Sequence, residues 1–149
     1  MAAPQIVSFV PAHLADIDPP VLDPAQMQRF AAAYRPTGPA FTLMEAGRAL
    51  GCAGLVLEGR NGRGWAFLSD ALRRRPQLLH RTVSRALPAL VDHYDLESVT
   101  AEAHKNFTAA RHWLERLGFR FAGLAPRYEG TTETYARYCL WADSQKSLQ

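Results

Sequence analysis

A chain of 149 residues is long enough for one domain with a single hydrophobic core. Its hydrophobic content of 48% and charged content of 21% exclude a disordered tail and favour an ordered globular protein. The net charge of +3 is too small to indicate nucleic-acid binding by itself, although five arginines cluster between residues 73 and 85. The sequence shows no secretory signal pattern and no apolar run of membrane-spanning length, which predicts a protein made in a reducing cytoplasm.

The first helix is predicted after a short strand and an irregular, Pro- and Asp-rich connection. Asp23-Pro24 marks its start, because aspartate caps the first turn and proline fits the first helical position. The helix should end at about residue 34. The residues of its inner face are Met27, Phe30 and Ala31.

Three further strands follow this helix and should be joined by tight turns. Residues 47–51 are predicted to connect the first two strands as a hairpin, and Asn61-Gly62 carries the strongest turn signal before the third. The strands predicted in the first half are residues 5–10, 41–45, 52–58 and 65–68.

A long helix over residues 76–94 opens the second half of the chain. Pro88 lies inside it and removes a backbone donor, which predicts a kink or a break near residues 84–88. A second helix precedes Gly118, and a polar loop should join the last two strands. The strands predicted here are residues 98–103, 119–124 and 135–141.

The run from Asn106 to Phe119 combines a possible helix cap, an apolar stripe at helical spacing, a glycine stop and an aromatic strand. Together with the order β-α-β-β-β-α-β-α-β-β, this run resembles the GNAT (Gcn5-related N-acetyltransferase) fold. The resemblance implies a single α/β domain over residues 1–142, with a central mixed, twisted sheet of about seven strands flanked by helices. Residues 143–149 are predicted to form a flexible tail.

In the GNAT family, acetyl-coenzyme A enters a V-shaped gap between the fourth and fifth strands. Its pyrophosphate rests on a glycine-containing loop at the start of the next helix, where backbone N–H groups face the anion. The corresponding stretch here, from Ser69 to Arg81, contains no glycine. Pro76 also removes one N–H group, and Asp70 adds a negative charge. The arginines that could replace the backbone donors, or could simply form a solvated basic turn, are Arg73, Arg74 and Arg75.

The resemblance also indicates the remaining candidate site residues. The backbone around Leu68 would bind the pantetheine amides, and Asn106 matches a position that often contacts the coenzyme, although helix capping explains it equally well. Leu114 occupies the position of the general-acid tyrosine and cannot donate a proton. Glu102 and His104, at the end of the fifth strand, would serve as a base for the acceptor amine or form a strand-end pair facing solvent.

A narrower resemblance leads to the main functional prediction. The stretch from Trp65 to Asp70, with an aromatic strand ending in Ser-Asp, is similar to GNAT-like virion proteins of tailed bacteriophages. It implies a catalytically degenerate protein, made in a bacterial host, that binds other virion proteins or its own copies and needs no cofactor. The alternative is an acetyl-CoA-dependent N-acetyltransferase with an unusual phosphate-binding site. The arginine cluster leaves a nucleic-acid-associated protein as a third possibility.

The cysteines and histidines carry no metal pattern. Cys52 and Cys139 lie far apart in apolar, strand-like stretches, which predicts free buried thiols, with a disulfide as the open alternative. The five histidines show no spacing suited to zinc. No metal is therefore expected.

Overall fold

The structure, a computed structural model, describes residues 3–20, 22–126 and 134–142. The strands in these residues are β1 (Gln5–Ser8), β2 (Ala40–Glu45), β3 (Arg48–Glu58), β4 (Asn61–Leu68), β5 (Ser98–His104), β6 (Arg120–Pro126) and β7 (Thr134–Trp141). The helices are α1 (Pro24–Ala33), α2 (Asp70–Arg73), α3 (Pro76–His93) and α4 (Thr108–Arg116), and a short 3₁₀ helix covers Pro11–Asp16. The predicted order of strands and long helices is confirmed. The predicted polar loop at residues 127–133 and the tail at 143–149 lie outside the described residues.

One mixed sheet contains all seven of these strands, in the order β1-β2-β3-β4-β5-β7-β6. The β4–β5 pair is parallel, whereas the β1–β2, β2–β3, β5–β7 and β6–β7 pairs are antiparallel. A parallel pair needs a crossover connection, which α2 and α3 supply between β4 and β5. The chain is thus a single α/β domain with a seven-stranded mixed sheet flanked by helices, as predicted.

The chain divides into two compact units. The first contains the residues up to Val56 together with Trp65–Leu79, and the second contains Leu57–Gly64 together with the residues from His80 onward. The buried core of the first unit includes Phe9, Leu14, Ile17, Ala49 and Cys52. Buried residues of the second unit include Leu87, Val91, Val99, Leu114, Tyr138 and Leu140.

Helix α1 begins as its sequence predicts. The Asp23 carboxylate accepts the Gln26 backbone N–H at 2.7 Å, and the Gln26 side chain accepts the Asp23 N–H at 2.9 Å. Met27 packs against the core of the first unit, together with Phe30 and Tyr34. Ala31 is exposed, so its predicted place on the inner face is wrong. The face that packs inward consists of positions 27, 30 and 34, and position 31 lies beside it.

Helix α4 ends as predicted but begins differently. Gly118 has φ +102°, its N–H donates to the Glu115 carbonyl, and the Phe119 N–H donates to the Leu114 carbonyl, which together form a Schellman motif. The helix begins at Thr108 after Phe107, without a side-chain cap. The predicted capping role of Asn106 is therefore wrong.

The two turns of the β2-β3-β4 meander lie earlier than the sequence suggests. The first turn consists of Ala46 and Gly47, which both have positive φ, so residues 48–51 already belong to β3. The second turn is centred on Gly59, at φ +61°, and the predicted turn residue Asn61 pairs with Ser98 inside the sheet. Pairing with a neighbouring strand outweighs the local turn preference of Asn-Gly.

Two connections also differ from their sequence pattern. Helix α3 runs unbroken through Pro88, so the predicted break is absent, and the buried Leu87 and Val91 hold this part of the helix. The irregular connection after β1 contains a 3₁₀ helix whose Leu14 is only 1% exposed. Among the described residues, none of the helices combines the length and hydropathy that a membrane-spanning segment needs.

The Ala46 backbone gives a first testable prediction. Ala46 has φ +53°, a left-handed conformation that costs a residue with a Cβ atom about 1 kcal/mol. Replacing Ala46 with Asn should raise the free energy of unfolding by about 0.5–1 kcal/mol, since asparagine tolerates this conformation. Thermal or urea unfolding measures the change.

A variant of the neighbouring residue gives the matched control. A Cβ at Gly47 would meet no atom within 4 Å, so Gly47→Ala tests conformation alone, at φ +78°. Gly47→Ala should destabilise the protein by about 1 kcal/mol. Equal stability of both variants and the parent would contradict the assignment of backbone strain to this turn.

Candidate functional site

The parallel pairing of β4 and β5 is short. Within the described residues the ladder pairs Asn61 with Ser98, Gly62 with Val99 and Arg63 with Thr100. Strand β4 continues for five residues beyond the last pair, and β5 continues for four. Residues 64–68 of β4 lie beyond these pairs, and Leu68 is the last residue of the strand. Strand backbone beyond the end of a ladder can bind a ligand that itself contains amides.

The amides that follow β4 are mostly engaged within the chain. Ser69 caps helix α2, because its hydroxyl accepts the Leu72 N–H at 3.2 Å. The Ser69 N–H donates to the Leu50 carbonyl at 3.0 Å, and the Asp70 N–H donates to the Asp18 carbonyl at 2.8 Å. Three donors at this helix start therefore already have acceptors, so a phosphate group here would depend on side chains.

Three exposed arginines follow these amides directly. The Arg75 Nη1 atom lies 2.8 and 3.0 Å from the two carboxylate oxygens of Glu45. Arg74 forms no ion pair with any residue that the structure describes. Of the predicted phosphate ligands Arg73, Arg74 and Arg75, the last is therefore already engaged by a carboxylate.

The last residues of β5 include both predicted base residues. Glu102 is exposed, and its Oε1 atom lies 3.4 Å from the Arg137 Nε atom. The His104 Nδ1 atom accepts the Asn106 backbone N–H at 3.2 Å, and the ring stands edge-on to Tyr135 at 5.4 Å. Because Nδ1 is an acceptor, the neutral imidazole carries its proton on Nε2. Asn106 thus contacts this cluster through its backbone.

A core residue occupies the position predicted for a general-acid tyrosine. Leu114 is 8% exposed and belongs to the buried face of α4. Tyr138 is fully buried, and its hydroxyl accepts the Arg111 Nε–H at 3.1 Å and donates to Glu115 at 3.5 Å. Both contacts are internal to the second unit, which makes Tyr138 a structural residue.

The cysteines fit the prediction of free thiols. Cys52 is buried and Cys139 is half-buried, and neither forms a disulfide. Burial raises the pKa of both thiols above the ordinary value, so neither is an activated nucleophile. The described residues contain no group of three or more His, Cys, Asp or Glu side chains that could hold a metal ion.

Sequence reasoning missed a pocket in the first unit. Trp65 and Phe67 alternate on β4, and both are half-buried, pack against the core of the first unit and line this pocket of 390 Å³. Its other wall comes from the end of α1 and the connection that follows. The aromatic residues Phe30 and Tyr34 at the end of that helix, followed by Arg35-Pro36, were the available sequence signal.

Several N-acetyltransferases have the same fold. The chain is similar to the ribosomal-protein-S18-alanine N-acetyltransferase from Escherichia coli, with 20% identity, 94% of each chain covered and a TM-score of 0.74. It is similar to a chimeric spermidine N-acetyltransferase from Vibrio cholerae, with 13% identity, 99% of each chain covered and a TM-score of 0.77. A GNAT-family acetyltransferase from Streptococcus pneumoniae has 13% identity and a TM-score of 0.67, over 93% of this chain and 99% of that chain.

These structures establish the GNAT fold, as the sequence predicts. No protein-family model and no curated protein matches the sequence.

The prediction of a catalytically degenerate virion protein is wrong. The similar structures are acetyltransferases, and nothing in the comparisons points to a bacteriophage or virion protein. The expectation that no cofactor is used depended on that prediction, so the use of acetyl-CoA becomes a proposal. A missing glycine loop removes one way to bind a diphosphate, whereas guanidinium groups offer another. Self-association, nucleic-acid binding and synthesis in the cytoplasm stay predictions.

Proposed function

We propose that this protein is an acetyl-CoA-dependent N-acetyltransferase that binds the coenzyme phosphates with arginine side chains. The observation that carries the proposal is the fold, which matches an N-acetyltransferase over 94% of both chains. The short β4–β5 ladder supports it, because it leaves the end of β4 able to bind amides.

The residues present fit the coenzyme in two places. The backbone at the end of β4, up to Leu68, would hold the pantetheine amides. The segment 73–75 would hold the phosphates, with Arg74 available and Arg75 shared with Glu45. One guanidinium group can bind two phosphate oxygens at once. This compensates for backbone N–H groups that already donate to acceptors within the chain.

The chemistry at the acceptor needs a proton acceptor from the protein. Acetyl-CoA would supply a thioester carbonyl carbon, to which the amine nitrogen bonds as the C–S bond breaks, and the departing thiolate would take up the second proton that this nitrogen loses. His104 would take the proton that the acceptor ammonium loses. Before Nε2 can accept it, the Nε2 proton must leave to solvent and Nδ1 must take one up from solvent, which gives up the Asn106 hydrogen bond at a cost of about 0.5–1.5 kcal/mol. A positioned base contributes about 100- to 10,000-fold, or roughly 3–5 kcal/mol, so the exchange is affordable.

The proposal is tested by coenzyme binding and by acetyl transfer. Coenzyme A at about 100 times its dissociation constant should stabilise the protein by about 2.7 kcal/mol, measured as a rise in Tm. Changing all three arginines of segment 73–75 to glutamine should weaken binding by about 10- to 100-fold, by calorimetry. The matched control removes the same charge from three exposed arginines elsewhere, namely Arg29, Arg48 and Arg120.

Two results would contradict the proposal. One is the absence of any Tm shift at millimolar coenzyme A together with no thiol release from acetyl-CoA across a panel of amines. The other is an equal loss of affinity in the control variant, which would mean that the three arginines act only through the overall charge of the protein.

A further inference from the structure

The aromatic walls of the pocket in the first unit pack against residues that do not line it. Phe9 is 7% exposed, and its ring stands edge-on to Tyr34 at 5.5 Å and to Trp65 at 5.4 Å. Trp65 also lies against Gly54, where a Cβ atom would come within 2.8 Å of its indole ring. The two aromatic walls are therefore fixed by a buried ring and a close backbone approach rather than by the ligand.

The lining of the pocket is mainly aromatic and apolar. On one wall, the ring centroids of Phe30 and Tyr34 lie 5.5 Å apart. On the other, those of Trp65 and Phe67 lie 5.7 Å apart. The buried Leu55 also lines the pocket. A volume of 390 Å³ falls at the small end of the range for sites that bind small molecules. Such a lining favours a compact ligand with a flat, apolar ring.

Arg35 provides the charge of this pocket. Its Nη1 atom donates to the Tyr34 carbonyl at 2.7 Å, and among the described residues it forms no ion pair. No carboxylate from the described residues lines the pocket. The remaining guanidinium donors are thus available to an anion at the pocket wall, and a polycation would meet a like charge.

We propose that this pocket binds a small aromatic compound that carries a carboxylate, with the ring between the aromatic walls and the carboxylate on Arg35. As the amine acceptor of the transferase, a role that rests on the proposed function, the ligand would be an aromatic amine with an acidic group. The neighbour from Vibrio cholerae is a spermidine N-acetyltransferase, and a polyamine does not fit this lining.

Binding of simple probes tests the pocket without any coenzyme. Phenylacetate and phenethylamine share a phenyl ring and differ in the sign of their charge, whereas spermidine is a polycation without a ring. Their affinities are measured by calorimetry and ligand-observed NMR. Phenylacetate should bind about tenfold more tightly than phenethylamine, and spermidine should not compete with it. Arg35→Gln should abolish that preference, whereas Arg29→Gln, an exposed charge outside the pocket, should retain it.

A second pair of variants blocks the pocket itself. Ala33 is exposed and lines the pocket, so Ala33→Phe should fill it and remove phenylacetate binding. Ala32→Phe places the same ring on an exposed neighbour outside the lining and should leave binding unchanged. Folding of both variants is checked by their unfolding curves.

The outcomes separate this inference from the proposed function. Phenylacetate binding that Ala33→Phe removes, in a protein without acetyl transfer, would support the pocket and contradict the transferase. Acetyl transfer whose acceptor KM is unchanged in Ala33→Phe and Arg35→Gln would support the transferase and overturn the pocket. Spermidine binding as tight as that of phenylacetate would also overturn it.

Discussion

Replacing His104 with glutamine is expected to lower kcat for acetyl transfer by about 100- to 10,000-fold, with a much smaller change in the Kd of coenzyme A. Glutamine keeps a polar side chain of similar reach but cannot take up a proton. Steady-state kinetics and a coenzyme A titration measure the two quantities.

Glu102 provides the internal comparison for this prediction. Glu102→Gln removes a carboxylate whose Oε1 atom is paired with Arg137 at 3.4 Å on an exposed surface. We expect less than a tenfold loss of kcat, and Arg137→Gln, which breaks the same ion pair, should have an equally small effect. A large loss in Glu102→Gln with little change in His104→Gln would contradict the assignment of the base to His104.

The second large effect concerns stability and involves Gly54. A Cβ at this position would lie 2.6 Å from the Pro39 carbonyl oxygen and 2.8 Å from the Trp65 ring. Backbone at Pro39 and a large ring cannot both give way, so Gly54→Ala should lower the free energy of unfolding by about 1–3 kcal/mol. Urea unfolding measures this loss.

Gly51, on the same strand, is the matched control. There an added Cβ would meet the end of the Leu72 side chain at 2.7 Å, and a side-chain terminus can rotate away. Gly51→Ala should therefore cost less than Gly54→Ala. Because Gly54 seats Trp65, its alanine variant should also weaken phenylacetate binding, and an unchanged affinity would contradict the role of this contact in shaping the pocket.

Local physics made part of this fold predictable. The Asp23 cap and the Gly118 stop each involve residues at most five positions apart in the sequence. A short stretch of sequence therefore contains all the groups that form each interaction. Hydrophobic periodicity then indicates which segments are strands and which are helices. The turn at Ala46-Gly47 was misplaced because long-range strand pairing, rather than turn preference, set where β3 begins.

The candidate site was also predictable from the sequence only in part. The sequence indicated the absence of a glycine loop and the candidates Glu102, His104 and Arg74, because residue types and order are local properties. It gave no means of knowing that Arg75 meets Glu45, thirty residues away. Interpreting the missing loop as lost function was the error, since that judgement needed the whole fold.

The sequence by itself determined the order of strands and helices, the start of α1, the C-terminal end of α4 and the arginine-rich segment after β4, since each depends on residues close together in the chain. Only the tertiary structure decided where the parallel ladder ends, which polar groups already have partners and that Trp65 and Phe67, which pack against the core, also line a pocket. Those features depend on groups that are distant in sequence and adjacent only after folding, so burial and pairing have no local signature.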